Sequence, residues 1–275
     1  MTKVNTDKAI DFVQASGDPI LSALALFAAR RTDAKQALDA IKAYQRNDGG
    51  WTKADMDFQG DLSIITATSV ALQWLLYVGG EGSAVLEKTV DYLRRAQRSD
   101  GAWDEPDEIR QYNPQPWMLP GRYENQVWLT SAICCKLKEL GRERDVDFDR
   151  ALDFVRRGWD GNRFPVFVHT HWMAMPLFHM QNTGSAVDGR IIAGCKRFLY
   201  EAIVNNQVDP GDLISIAYAS LLAGGVTDDL REIALKGVLG NQMDDGGWKT
   251  NYGDKYRAAF TVDALFLLKR FLSIQ

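Results

Sequence analysis

Nothing in the sequence approaches the roughly 20 consecutive apolar residues that cross a bilayer as a helix, and stretches such as 21–29 fall well short. The opening Met1-Thr-Lys-Val-Asn-Thr-Asp7 lacks the apolar core of a secretory signal, so a cytoplasmic location is expected. An excess of one charge is missing too. The 32 basic and 36 acidic residues leave a net charge of −4, and the basic ones are scattered, which gives no electrostatic reason to expect nucleic acid as a partner. Three cysteines, with Cys134 adjacent to Cys135, make no disulfide framework; together with Cys195 they read as buried thiols in a reducing compartment. No segment alternates with period two, so strands are not expected. No Pro/Ser-rich linker divides the 275 residues, and Pro106, Pro114, Pro116 and Pro120 mark one long ordered loop, so a single domain over residues 1–275 is expected.

What the sequence does contain is repetition. Gln45-Arg-Asn-Asp-Gly-Gly-Trp51, Gln97-Arg-Ser-Asp-Gly-Ala-Trp103 and Gln242-Met-Asp-Asp-Gly-Gly-Trp248 share one pattern, Gln-x-x-Asp-Gly-(Gly/Ala)-Trp. Degenerate copies stand at Trp159-Asp-Gly-Asn-Arg-Phe164 and at Asn206-Gln207-Val-Asp-Pro-Gly211. Each intact copy follows a stretch with apolar residues at helical spacing and precedes a second helix rich in Ala, Thr, Leu and aromatics. The periodicity predicts about twelve helices in six pairs: Thr6–Ala15, Pro19–Ala29, Asp33–Tyr44, Ser63–Val78, Gly82–Ala96, Tyr123–Leu140, Phe148–Arg156, His171–Met180, Val187–Val204, one from Asp212, Asp229–Leu239 and Ala258–Ile274. The motif has a mechanical sense. Asp-Gly permits the left-handed turn that ends a helix, the glutamine can satisfy free backbone groups of a neighbouring repeat, and the tryptophan buries up to about 200 Å² as a staple.

These residues resemble the repeat motif of the squalene-cyclase and prenyltransferase superfamily, which includes squalene–hopene cyclases, oxidosqualene cyclases and class II diterpene cyclases. The resemblance implies an all-α (α/α)6 toroid of about twelve antiparallel helices in two concentric layers. It also implies a terpene-cyclase-like enzyme of the isomerase or lyase class, acting by acid-initiated chemistry on a lipophilic isoprenoid held in a central aromatic-lined cavity. The Asp-x-Asp-Asp motif of class II cyclases is absent; the nearest match is Asp55-Met-Asp57 with Asp61 following. The Asp-x-Cys of the zinc prenyltransferases is absent as well. Asp228-Asp229-Leu-Arg-Glu232 looks like a class I magnesium cluster, but capping of a helix start explains it more simply. No cofactor is therefore expected, and magnesium enters only if the substrate carries a diphosphate. Peripheral membrane contact is compatible with such a substrate. Two other readings stand beside this one. Tyr44–Lys53 is similar to the Gly-Gly-Trp-Pro-Lys segment of one pectate lyase family, which points to a polysaccharide lyase or glycosidase on the same architecture. A non-catalytic binding scaffold is the third.

Residues at the heads of the inner helices carry the functional question. Asp57 and Asp61 are the first choice for a proton donor and Asp212 the next, because a carboxyl buried among aromatics has its pKa raised. Asp55, Asp209, Asp254 and Glu124 occupy similar positions, where each could equally cap a helix. His169 is an acid/base candidate near neutral pH. A metal would need His169 and His171 on an extended segment, since on a helix they point about 200° apart; none is expected. Trp117, Tyr123, Trp128, His171, Trp172, Tyr218, Tyr256 and Phe260 are expected to contact substrate, because desolvated rings stabilise cations by roughly 0.5–2 kcal/mol each. Arg257, with Lys53, Lys249, Lys255 and Arg122, would hold a diphosphate if there is one.

Overall fold

The computed structural model describes residues 4–52, 54, 56–164, 167–224 and 228–272. Twelve α-helices follow one another: α1 Thr6–Ala15, α2 Pro19–Ala28, α3 Ala34–Lys42, α4 Ile65–Val78, α5 Ala84–Ala96, α6 Tyr123–Glu139, α7 Phe148–Arg157, α8 Val168–Gln181, α9 Ala186–Val204, α10 Asp212–Leu222, α11 Asp228–Gly240 and α12 Asp254–Leu272. Short 3-10 turns at Asp107–Tyr112, Pro116–Met118 and Glu143–Asp145 complete the regular structure. Among the described residues no strand forms; Trp51 and Ile64, and Gln242 and Trp248, make isolated bridges. The chain is thus all-α, and its helices lie on the segments that periodicity marks. Two begin earlier than expected by more than one residue. α12 starts at Asp254, directly after Gly253 in the left-handed region (φ 116°), and α8 starts at Val168 and so takes in both histidines.

The residues gather into two compact units, Ile41–Cys195 and the combination of Met1–Ala40 with Lys196–Gln275. In the first, α6 packs against α4, α7 and α8, and α5 packs on α4. Sequence alone separates core helices from covering ones here. α4 and α6 are buried nearly all round, with small Ala, Ser and Thr letting their neighbours approach, whereas α5 buries Val85, Leu86, Thr89, Val90 and Leu93 along one stripe and keeps its charges outside. In the second unit α10 packs against α11 and α12, and α12 against α1 and α2.

The repeat motif builds the joints. Gln97 Nε2 donates to the carbonyl of Asp147 at 3.0 Å, and its Oε1 accepts from the Asp147 amide at 2.9 Å. Gln242 does the same to Asn5, at 2.9 and 2.8 Å. Asp147 and Asn5 are the N-caps of α7 and α1, so the glutamine meets the head of the next covering helix. Gln45 Nε2 reaches the Val85 carbonyl in the first turn of α5 at 2.8 Å. Trp51, Trp103 and Trp248 are fully buried. The indole N–H of Trp103 donates to Leu93 O and that of Trp248 to Val238 O, both at 2.8 Å, and that of Trp51 to Thr89 Oγ1 at 3.1 Å. The staple role expected of these residues is what they perform.

The motif glycine is fixed by two demands at once. Gly101 sits at φ 90°, and a Cβ there would lie 2.5–2.7 Å from the Arg150 and Ala151 backbone of α7. Gly161, at φ 101°, would place its Cβ in open space. Gly101→Ala is therefore expected to cost clearly more than the roughly 1–2 kcal/mol of left-handed strain that limits Gly161→Ala. Paired urea titrations of the two variants check this, and equal losses would remove the close approach from the argument.

Candidate functional site

An aspartate marks every copy of the loop. Asp48, Asp100 and Asp245 each accept from the backbone N–H two residues on, at Gly50, Ala102 and Gly247, over 3.0–3.1 Å. The degenerate copies keep this turn: Asp160 accepts from Asn162 N, and Asp209 from Gly211 N, both at 2.8 Å. In the intact copies tryptophan stands three residues after the aspartate. Three residues after Asp209 stands Asp212. The fourth copy has also lost the segment between loop and inner helix, so the staple position and the first residue of α10 coincide. A carboxyl takes the sequence position that an indole holds in the intact copies.

The consequences are electrostatic. Asp212 is 3% exposed. A carboxylate in the first turn of a helix is ordinarily favoured by the helix dipole, yet burial dominates and pushes the Asp212 pKa up to about 7. The Tyr252 hydroxyl donates to Asp212 Oδ2 at 2.7 Å and pulls the other way, while the neighbouring Asp209 charge adds to the rise. Tyr252 belongs to the loop before α12. Burial, with the Asp212 charge next, holds its phenol protonated. Its ring stacks on Phe260 at 6.1 Å and 17°, and meets Tyr256 edge-on at 6.2 Å. Phe260 in turn lies against Gly211, where a Cβ would sit 2.9 Å from the ring. Asp212, Tyr252, Tyr256 and Phe260 thus form one cluster at the heads of α10 and α12, joining a protonatable acid to three rings.

The other unit holds a second aromatic cluster. Trp128 of α6 has Trp117 at 5.8 Å, Phe167 at 6.1 Å and His169 at 5.9 Å, and His169 lies 4.6 Å from Trp172. Burial among these rings holds His169 neutral, with its pKa lowered to about 4. That corrects the expectation of a histidine titrating near neutral pH: loss of water around the ring by burial penalises the imidazolium. His171 is fully buried, accepts from Phe164 N at 3.2 Å and packs edge-on against Phe164 at 5.6 Å. It is a core histidine of α8 that packs back on the degenerate loop. Both lie on helix α8, which rules out shared chelation by geometry. Among the described residues no group of three or more His, Cys, Asp or Glu side chains could hold a metal ion.

The remaining candidates divide. Asp61 is exposed and ion-paired with Arg46. It does not cap α4. That role falls to Glu105, whose buried carboxylate accepts from Ile65 N at 2.7 Å, from Thr66 N at 2.8 Å and from the Thr66 hydroxyl. Asp57 is half-buried in a turn ahead of α4, and Glu124 is half-buried in the first turn of α6. Asp55 and Lys53 lie outside the described residues. Tyr123 is 42% exposed and packs on Phe154 of α7, away from the Trp128 cluster. Tyr218 accepts from Arg270 at 2.8 Å, at the opposite end of α12 from Tyr256. Arg257 is committed to its own loop: it donates to both oxygens of Asp245 at 2.7 and 2.9 Å and covers the Phe12 ring at 4.5 Å. Its guanidinium is thus engaged at the joint. Lys255 stands 4.8 Å over the Tyr256 ring. Tyr252 is the functional residue that motif reading misses, because a tyrosine in the loop before α12 carries no sequence signal of its hydrogen bond.

Comparison with known proteins follows the fold. Residues 17–138 match the family profile of the squalene-hopene cyclase C-terminal domain. Among curated proteins none matches the sequence. The structure is similar to the apo type II terpene cyclase MstE from Scytonema, with a TM-score of 0.62 and 13% identity over 98% of each chain. A variant of MstE in complex with geranylgeranyl dihydroxybenzoate, its substrate, gives a TM-score of 0.58 and 14% identity, over 96% of this chain and 87% of that one. A protein from Actinoplanes gives 0.58 and 15%, over 94% and 89%.

Proposed function

Because the chain has the squalene-cyclase-like fold, we propose that it is a terpene-cyclase-like enzyme acting on a lipophilic polyene by proton-initiated chemistry, with Asp212 as the acid. The observation that carries this reading is a buried carboxyl held by the Tyr252 hydroxyl, whose ring touches Tyr256 and Phe260, with a pKa near neutrality. At neutral pH a large fraction of such a group holds its proton, while remaining acidic enough to give it up. The proton passes from the Asp212 oxygen to the less substituted carbon of the end alkene. A C–H bond forms from the π pair, the Asp212 O–H bond breaks, and a tertiary cation and a carboxylate remain. The next alkene attacks the cation and closes a ring, a neighbouring C–H then gives its proton to water as the new C=C forms, and the Asp212 carboxylate takes a proton back from solvent, so the sequence is a net isomerisation. These steps consume no metal or redox partner. Tyr252, Tyr256 and Phe260 supply π faces to the cation. The similarity to a cyclase whose substrate is a geranylgeranyl-substituted dihydroxybenzoate supports a polyprenyl chain as the reacting part.

The test is incubation with squalene, geranylgeranyl diphosphate and a geranylgeranylated hydroxybenzoate in buffer containing EDTA, with products analysed by mass spectrometry. Cyclised products of unchanged mass are expected from at least one polyene. Turnover that requires magnesium and releases pyrophosphate would overturn the acid-initiated reading. Cleavage of oligogalacturonate in a parallel calcium arm would replace it with the lyase reading, and silence throughout would remove the catalytic one.

A further inference from the structure

Asp209 does more than cap its own turn. Its Oδ1 accepts from Gly211 N at 2.8 Å and from the Thr250 hydroxyl at 2.8 Å, and its Oδ2 accepts from Asn251 N at 2.7 Å. Thr250 Oγ1 then accepts from Tyr252 N at 3.1 Å. One carboxylate therefore ties the loop before α12 to the turn before α10, and the residue at the end of that tie is the one whose hydroxyl lies on Asp212. The intact repeats hold their aspartates in the same turn, but there the position three residues on is a tryptophan with nothing to protonate.

We propose that Asp209, Thr250 and Tyr252 are positioning residues for the Asp212 carboxyl, Asp209 and Thr250 by clamping the loop and Tyr252 by holding Oδ2. The catalytic consequence rests on the reading of Asp212 as the acid; the clamp itself does not. A donor fixed on Oδ2 leaves the proton to the other oxygen, which defines the direction in which it is delivered. The same donor stabilises the carboxylate that remains after transfer, so it makes Asp212 a stronger acid. The groups that act on Asp212 come from two elements: Asp209 in the turn before α10, and Tyr252 from the loop before α12. From α11, Gly237 faces the neighbouring Leu213, and that helix also carries the charged Asp229, Arg231, Glu232 and Lys236. Asp254 and Lys255, at the start of α12, are exposed.

The experiment follows the Asp212 carboxyl by NMR in protein labelled at aspartate 13Cγ, the signal being assigned by its loss in Asp212→Asn. Tyr252→Phe removes one oxygen from a residue that is 46% exposed, so folding is not at risk. Its Asp212 titration is expected to move to higher pH by roughly one unit, the scale of one hydrogen bond to a charged group. Thr250→Val, which releases the loop, should move it in the same direction. The double variant should move it no further than Tyr252→Phe alone, because both act through one hydrogen bond. If the enzyme turns over a polyene, the high-pH limb of kcat moves with the titration and kcat on the plateau falls about tenfold. An unmoved midpoint in Tyr252→Phe overturns the positioning role, and additive shifts in the double variant overturn the clamp. Neither result depends on turnover. A moved midpoint without any turnover leaves the positioning role intact and refutes the enzymatic reading alone.

Discussion

Asp212→Asn is expected to abolish turnover and, at the same time, to make the protein more stable above neutral pH. Asparagine keeps the shape of the side chain, and its carbonyl oxygen still accepts from Tyr252, so the cluster stays assembled while the transferable proton is gone. Loss of a positioned acid costs about 10²–10⁴ in rate by itself, and more where no water can reach the alkene. The stability effect has a definite sign. The folded pKa of about 7 lies above the ordinary 3.8, so the folded state binds this proton more tightly than the unfolded chain does. The associated stability is fully present below about pH 4 and is lost as pH rises through 7. The whole interval amounts to about 4 kcal/mol at 1.36 kcal/mol per pH unit. Wild-type protein should therefore lose several degrees of melting temperature between pH 5 and pH 8 that the Asn variant retains. Parallel melting curves at the two pH values check this. A variant with the wild-type slope would show that Asp212 is not the titrating group, and full turnover by the variant would move the acid elsewhere. A residue that weakens the fold at working pH is easier to understand as a chemical group than as a structural one.

Much of this architecture is legible in the sequence because the repeat states it several times. Gln97, Gly101 and Trp103 each have counterparts whose spacing alone implies a shared joint, and the pairing of glutamine with the neighbouring N-cap follows from the free amides there. The helices are read equally well, since α5 and α7 show one-sided patterns and the core helices are dense in Ala, Ser and Thr. Burial of polar residues is what sequence does not display. Asp61 and Asp212 both stand before similar Leu-Ile-rich helices, yet one is exposed against Arg46 and the other is buried under Tyr252. The loops differ in length: a long one precedes α4, while the shortened fourth copy brings the staple's sequence position to the first residue of α10, which is Asp212. The cap of α4 comes from Glu105, forty residues away, and no local pattern announces it. His169 shows the same gap. Its composition suggests a neutral-pH switch, and its three aromatic neighbours, brought together from two helices and the residue before one of them, hold it uncharged.

Trp103→Ala should be among the most destabilising single substitutions in the chain, at about 3–5 kcal/mol, the range for a large buried aromatic replaced by alanine. Three losses coincide there. The indole is fully buried, so its removal leaves a cavity that the surrounding close-packed side chains only partly refill. Its N–H satisfies the Leu93 carbonyl, one of the last four of α5, which has no partner within the helix. Its backbone N–H is held by Thr130 of α6, so the register of the loop against α6 loosens as well. Trp103→Phe separates these effects, since it keeps most of the apolar volume and removes only the indole donor; about 1–3 kcal/mol is expected for the carbonyl left behind. Trp159 provides the control. It belongs to a degenerate copy, is half-buried, and its indole nitrogen makes no hydrogen bond among the described residues. Trp159→Ala should therefore cost clearly less than Trp103→Ala in urea titrations monitored by circular dichroism. Equal losses at the two positions would mean that burial of any tryptophan in this fold matters, and that the joint between repeats has no special share in it.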